Sequence, residues 1–393
     1  MKIINRAESK RGKNVLSIHG QKRLLLYAQL LDEIADYYTC KDIKLCMYKD
    51  KQTFFLDQAV VENERMMKNQ LTDLSYVLKQ MANETYVSDF SIEKHRKQLI
   101  KGLMENDLNV EELYAFCYPK GRLEIGVNCF AKVGDYYSVD EMADYISSIF
   151  RRKLSPDRDC GAYIYDEPTL VIFREELNYQ LSYYVAKATR QEETMSGDNY
   201  IVQNYPDGRT LIALSDGMGS GEKAKEDSEL VVELFDKLLE AGVEMTDAAR
   251  EVNDVLCMRT KSLRTATIDA CVFDLCSGTA ELLKGGATPT YVKKDTAVEK
   301  IEANTLPFGI IPGEKGKNFY QTLDEKAQFI MITDGVFDVF LQQSKDTLLE
   351  YIQSLQENSP KQIANKILQM AIRLGQGKVK DDMTVFVCSL SGK

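Results

Sequence analysis

Two stretches of the chain run strand-like apolar residues into an acid in the same way. LIALSDGMGSG (211–221) leads into Ser215, Asp216 and Gly217, and IMITDG (330–335) leads into Thr333, Asp334 and Gly335. Asp381–Asp382 immediately precedes the apolar MTVFVCSL, and Asp198, in SGDNY, precedes a strand expected from near Tyr200. Ile212–Leu214 and Phe329–Ile332 are apolar at every position, as in central strands covered on both faces. Four carboxylate positions thus stand at the ends of strands expected to share one core. If those ends lie together, like charges crowd in a low-dielectric rim, which is unfavourable unless a cation neutralises them. Oxygen ligands without His or Cys favour Mg2+ or Mn2+. Glycine beside the aspartate lets a backbone carbonyl and a bulky substrate come close. Two such ions about 3.5–4 Å apart suit in-line displacement at phosphorus by an activated water.

A lone Asp-Gly after a strand is more often a turn than a ligand, so the specificity lies in the set. GMGSG lacks the Gly-Lys-Ser/Thr ending of a P-loop, which argues against a nucleotide cradle. The only histidines are His19 and His95, both in the N-terminal third and neither near a nucleophile motif. A Ser–His or Cys–His mechanism is therefore not expected, and carboxylates are the available catalytic groups.

The elements that must position these acids belong to a chain of 393 residues, enough for two or three domains. Its 44% apolar and 28% charged residues are those of a globular protein. A net charge of −10 and pI near 5.1 argue against a nucleic-acid partner. Nine cysteines, an odd number with no CxxC pair, read as free thiols in a reducing compartment. MKIINRAESKRGK at the start lacks the apolar segment of a secretory signal. LLLYAQLL (24–31) is too short to span a bilayer. A cytoplasmic location with no membrane span in this chain is the expectation.

Three regions follow. Residues 1–110 read as helical, with helices over 20–38, from Val60 onward and over 91–104. The seam Met67, Leu71, Leu74, Leu78, Met81 has heptad spacing, open between a dimerising coiled coil and a core-facing helix. Residues 111–176 read as a small α+β domain. It has a hairpin turning at Pro119–Gly121, a helix opened by the capping box Ser138–Glu141 and running to about Lys153, and two short strands around Glu167–Pro168. From 177 to 393 strands are expected at 179–189, 199–205, 209–215, 267–274, 279–284, 290–293, 317–322, 327–333 and 383–390. Helix pairs are expected at 222–241 with 246–259 and at 345–357 with 360–374. Such runs of strands broken by helix pairs suggest an α+β fold in which helices flank a β-sandwich.

SGDNY, SDGMGSG, ATID (266–269), KGGATPTYV (284–292), LPFGI (306–310), TDG and DDMTV stand in the order and spacing of the PPM-type metal-dependent Ser/Thr phosphatases. The chain from about 178 onward most resembles their stage II sporulation protein E (SpoIIE) group. The resemblance implies a PPM-type sandwich with two Mn2+ or Mg2+ ions at one edge. By it, Asp216 would bridge both metals and the Gly217 carbonyl would help hold the second. Asp334 and Asp381 would hold the first, and Asp198 would serve the second. Asp381 is preferred to Asp382 because the family pattern places the ligand first in that run. Asp269 is open between an inner polar shell and a buried structural role. The basic group that relatives use on substrate phosphate has no clear counterpart, with Lys187 and Arg190 nearest in sequence.

The implied function is hydrolysis of phosphoserine or phosphothreonine on a regulatory protein by a metal-activated water, with Asp216, Asp334 and Asp381 as the catalytic acids and no phospho-enzyme. The implied partner is an anti-anti-sigma (STAS) phosphoprotein, which would place the chain in partner-switching control of transcription. The namesake of the group carries N-terminal membrane spans before a regulatory segment, so this chain is expected either to be a soluble relative or to begin after such spans. Two rivals are a non-catalytic phosphatase-like scaffold, which the intact aspartate set opposes, and a phosphoaspartyl-forming hydrolase. The latter needs a second Asp that LSDGM and ITDGV lack.

Overall fold

A computed structural model of the chain describes residues 18–37, 51–84, 93–117, 122–191, 193, 195–219, 221–257, 264–294, 297–322, 327–344 and 346–392. They form two compact units, one built on residues up to Asp32 and Arg65–Glu176, the other on Glu33–Glu64 and Leu177–Lys393. Among the described residues no helix is long and apolar enough to cross a membrane.

Helices α1 (Ile18–Tyr37) and α2 (Lys51–Glu84) follow their amphipathic spacing. The face of α2 that packs is turned by about one residue from the expected seam. Leu71 and Leu78 are half-buried, but Met67, Leu74 and Met81 are exposed, and among the described side chains of α2 the fully buried ones are Ser75 and Ala82. Small side chains explain the shift, because they let the backbones approach until Ser75 Oγ donates to the Ala28 carbonyl at 2.8 Å.

Next come α3 (Glu93–Glu105), β1 (Leu108–Cys117), β2 (Leu123–Ala131), β3 (Tyr137–Ser138), α4 (Val139–Phe150), β4 (Leu154–Pro156), β5 (Tyr163–Ile164) and β6 (Thr169–Glu175). An antiparallel sheet of order β1-β2-β6-β4 is covered on one face by both helices. Leu99 and Leu103 of α3 and Met142 and Ile146 of α4 share a core with Ile125, Val127, Val171 and Phe173. The division expected at residue 110 is therefore displaced: α3 belongs to this core and β1 already begins at Leu108. The Pro119–Gly121 turn lies outside the described residues. Ser138 caps α4, accepting from the Glu141 amide at 3.4 Å. The helix ends at Phe150, before the expected Lys153, because Arg151 takes a left-handed conformation.

The second unit is built from β7 (Tyr179–Ala188), β8 (Asp198–Asn204), β9 (Arg209–Asp216), α5 (Glu222–Glu240), α6 (Met245–Cys257), β10 (Ile268–Asp274), β11 (Thr279–Gly285), β12 (Thr290–Lys294), β13 (Ala297–Ile301), β14 (Lys317–Thr322), β15 (Gln328–Ile332), α7 (Asp334–Leu341), α8 (Thr347–Ser354), α9 (Pro360–Leu374) and β16 (Met383–Gly392). Two five-stranded antiparallel sheets, β14-β11-β10-β9-β8 and β13-β12-β15-β16-β7, pack face to face. Ile212 and Leu214 of β9 meet Phe329 and Met331 of β15 in the inner core. On the outer face of the second sheet, Ile330 and Ile332 pack under α9 with Ile363 and Ile367. Alternation along strands covered on both sides is why every position is apolar. Two elements depart from expectation. β13 and the short α7 have no counterpart among the expected elements.

One polar cluster spans the inner core. The fully buried Lys284 of β11 donates from Nζ to Asp269 Oδ2, the Thr288 carbonyl and Thr290 Oγ1, each at 2.6 Å. Asp269 and Lys284 are cross-strand partners in one sheet, and Thr290 lies in the other. Burial lowers the Lys284 pKa while Asp269 opposes the shift, so Asp269 favours the charged ammonium. Asp269→Ala is expected to destabilise the fold by ~3–5 kcal/mol, whereas Asp269→Leu combined with Lys284→Met should restore most of it. Urea denaturation of the three chains checks this. Equal loss in the single and double variants would show that the ion pair is not the reason.

Candidate active site

Antiparallel pairing accounts for the meeting of the acids. β9 ends where β8 begins, and the register sets Asp216 opposite Asp198. In the other sheet β15 ends where β16 begins, and the Thr333 amide donates to the Thr384 carbonyl at 3.1 Å. The sandwich brings these two ends together. Asp198 Oδ2 accepts from Thr333 Oγ1 at 3.0 Å and from Thr384 Oγ1 at 2.6 Å. Its other oxygen, Oδ1, is buried without a hydrogen-bond partner.

Asp334 stands in the first turn of α7, where the helix dipole favours an acid. Thr333 occupies the cap position with extended backbone, φ −88° and ψ 167°. The glycine that follows has the close-approach role expected of it. A Cβ on Gly335 would lie 2.2 Å from the Asp382 carbonyl oxygen. The same holds for Gly217, where a Cβ would lie 1.9 Å from the Ala224 carbonyl oxygen at the start of α5.

Electrostatics order the acids into a row. Burial pushes the Asp216 carboxyl up to about 9, with Asp198, Asp334 and Asp381 adding to the shift. Burial raises Asp198 to about 6, against the hydroxyls of Thr384 and Thr333 and the Lys187 charge. Asp334, although its side chain reaches solvent, is raised by desolvation at the helix start, then by Asp381 and Asp338. Asp216 is the member that feels the other three. Asp338, one turn beyond Asp334 and exposed, extends the row, its carboxyl raised by partial desolvation and by Asp381. The Asp334-to-Asp338 spacing was its only signal, and that signal needs the helix to be known. Among the described residues no three His, Cys, Asp or Glu side chains close around a single point, so the row is open.

The two neighbouring acids have different surroundings. Asp382 is buried and accepts from the Arg190 amide at 2.9 Å and the Gly197 amide at 2.6 Å. Asp381 is exposed and acts on Asp216 and Asp334. Asp382 therefore pins the segment that leads into Asp198. Lys187 is not placed to meet a substrate: its Nζ donates to the Asp198 carbonyl at 2.7 Å. The Arg190 guanidinium lies 3.8 Å from Glu193. Asp269 is held by Lys284 and Thr290 through Oδ2, and its Oδ1 is buried without a partner. Thr333, Thr384 and Asp382 were missed as supports, since a hydroxyl or second acid beside a motif has no pattern of its own.

An unpartnered buried carboxylate oxygen, acids that raise one another and an all-oxygen donor set fit a hard divalent cation.

Residues 206–391 match the family model described as Stage II sporulation protein E (SpoIIE). These residues, just under half of the chain, support a PPM-type phosphatase of the SpoIIE group. The chain is 27% identical over 341 residues to the stage II sporulation protein E of Priestia megaterium, covering 85% of this chain and 58% of that protein. It is 25% identical over 335 residues to that of Bacillus subtilis (strain 168), covering 84% of this chain and 40% of that protein. The chain thus spans about half the length of these curated relatives. A solved structure of the PP2C phosphatase domain and a regulatory-domain fragment of Bacillus subtilis SpoIIE aligns with a TM-score of 0.59 and 25% identity. It covers 86% of this chain and 98% of that one. The sandwich expected from the sequence is thereby a PP2C-type fold.

The raised Asp216 carboxyl has a consequence for the metal-free protein. Because its folded-state value exceeds the unfolded one, the folded chain keeps a proton that the unfolded chain has lost. Stability from this group is complete below about 4 and falls as pH rises toward about 9, by at most about 1.4 kcal/mol per pH unit. In chelator, Asp216→Asn should lack that decline and melt above the parent chain at pH 8, and Mn2+ should reverse the order. Thermal unfolding across pH measures both. Parallel pH profiles in chelator would show that Asp216 is not crowded.

Proposed function

We propose that residues 177–393 hydrolyse phosphoserine or phosphothreonine on a protein, with two divalent cations, Mn2+ or Mg2+, held along the aspartate row. The observation that carries this reading is the convergence of acids from both sheets on Asp216, next to an Asp198 oxygen with no partner. When bound, such an ion pair supplies Lewis acidity and an activated water for in-line displacement at phosphorus. Asp216, in the middle, would be shared by both ions. Asp334 and Asp381 would complete one side, Asp198 and the Gly217 carbonyl the other. Thr333 and Thr384 fix the Asp198 carboxylate from the opposite sheet, so its free oxygen keeps one direction. No histidine occurs after His95, which leaves proton handling at this site to carboxylates and water. The likeness to the SpoIIE group supports a phosphoprotein substrate, for which we take a regulatory protein of the STAS type.

Asp216→Asn should lower turnover of para-nitrophenyl phosphate and of a phosphorylated STAS protein at least about a thousandfold, on the order of 4 kcal/mol in barrier. The far-ultraviolet circular dichroism should be unchanged. Acid quench with labelled substrate should yield no protein-bound phosphate. Turnover that survives exhaustive chelation, or in Asp216→Asn, would leave a non-catalytic scaffold with a contaminating activity as the explanation.

We further propose that the residues before 177 regulate this activity through self-association along α2. The exposed Met67, Leu74 and Met81 line one side of that helix, and the similar solved structure includes a fragment of a regulatory domain. Leu74→Glu with Met81→Glu leaves the buried Ser75 and Ala82 untouched. The pair should halve the sedimenting mass and change turnover. A parent chain that is already monomeric at all concentrations rules this out.

A further inference from the structure

The small α+β domain carries an aromatic surface with no part in the chemistry above. β3 and β5 pair as a two-stranded ribbon, with Tyr137 opposite Ile164 and Ser138 opposite Tyr163. Tyr137 and Ile164 turn into the domain core. Alternation therefore puts Tyr163 and Tyr165 on the outer face, and the same register continued by one residue adds Tyr136. Their exposures are 49%, 57% and 68%. The rings of Tyr136 and Tyr163 meet edge to face at 5.3 Å, which fixes them as one platform. Val133, 89% exposed, lies in the adjoining turn.

Charge decides what such a platform can take. Asp135, Asp140, Glu141, Asp166 and Glu167 flank the three tyrosines in sequence and are all exposed. The nearby Lys132 is paired with Asp107. Ring faces carry negative quadrupole potential and attract cations, and the acidic rim adds to that field. A second copy of this surface would bring the same negative rim against it, and nucleic acid or anionic lipid would be repelled. An extended segment suits a ribbon only a few residues long.

We propose that the β3–β5 ribbon binds a basic, extended segment of a partner protein, with arginine or lysine side chains lying on Tyr136, Tyr163 and Tyr165 inside the acidic rim. The site is independent of the phosphatase reading. The test uses the full chain and a fluorescein-labelled decapeptide of Arg-Pro repeats, with a Glu-Pro repeat as control, followed by anisotropy. Saturable, salt-sensitive binding of the Arg-Pro peptide alone is expected. Tyr136→Ser with Tyr165→Ser should weaken it at least about tenfold, while Tyr136→Phe with Tyr165→Phe, which keeps the rings, should change it by less than about twofold. Circular dichroism confirms that each variant is folded. Asp135→Asn with Asp166→Asn should reduce the salt dependence. Three outcomes overturn the proposal. One is no saturable binding up to about 1 mM peptide. The second is equal binding by the Ser variant, which would place the peptide on other carboxylates of a chain with net charge −10. The third is equal loss in the Phe and Ser variants, which would deny the rings their part.

Discussion

Asp198 gives one oxygen to the hydroxyls of Thr333 and Thr384 and leaves the other bare inside the protein. The rest of the site depends on that contact, because its donors and acceptor belong to opposite sheets. Two β-sheets can slide on one another at small loss while apolar residues alone separate them. A buried carboxylate held by hydroxyls cannot, since a shift would strand a charged oxygen and two hydroxyl donors together. Relative placement of the sheets, and so the distance from Asp198 and Asp216 to Asp334 and Asp381, follows from it. Asp382 adds a second fastening at the same end by holding the amides of Arg190 and Gly197.

Backbone clearance sets how close the acids come. At Gly217 and Gly335 a carbonyl oxygen lies within 2.2 Å of where a side chain would begin. Any other residue would push α5 from β9, or α7 from the strand that follows Asp381. The glycines therefore allow the helix starts to pack over the strand ends, which brings the acids close and strips part of the water from Asp216 and Asp334. Proximity and partial desolvation here come from one geometric cause.

Much of this was legible because strands covered on both faces and ending in acids leave a strong trace in sequence. β9, β15 and β16 could be read from unbroken apolar runs, and their connection to Asp216, Asp334 and Asp381 from adjacency alone. α7 was not legible: Asp334–Gly335 satisfies the pattern of a turn, and only the packing of Gly335 on Asp382 shows that a helix begins there. Asp338 was lost with it. The α2 seam failed for a related reason. Heptad spacing ranks large apolar residues as the contact, whereas Ser75 and Ala82 are buried because they are small. Pairings between sheets, such as Thr384 with Asp198, lie 186 residues apart in the chain, and no local pattern records them.

The same sandwich holds buried acid in two places and treats it differently. Asp269 has an internal cation, Lys284, which meets one of its oxygens together with the Thr290 hydroxyl, while the other oxygen is buried without a partner. In the row at the sandwich end, Lys187 reaches the backbone carbonyl of Asp198 instead of a carboxylate oxygen. Burial there outweighs its help, since the Asp198 carboxyl is raised and not lowered. A lysine placed like Lys284 would have neutralised the row and stabilised the fold. Its absence from the described residues around Asp216 leaves the negative charge to be met from outside, by protons or by divalent ions. Competition between those two is what couples the stability of this end of the molecule to its chemistry.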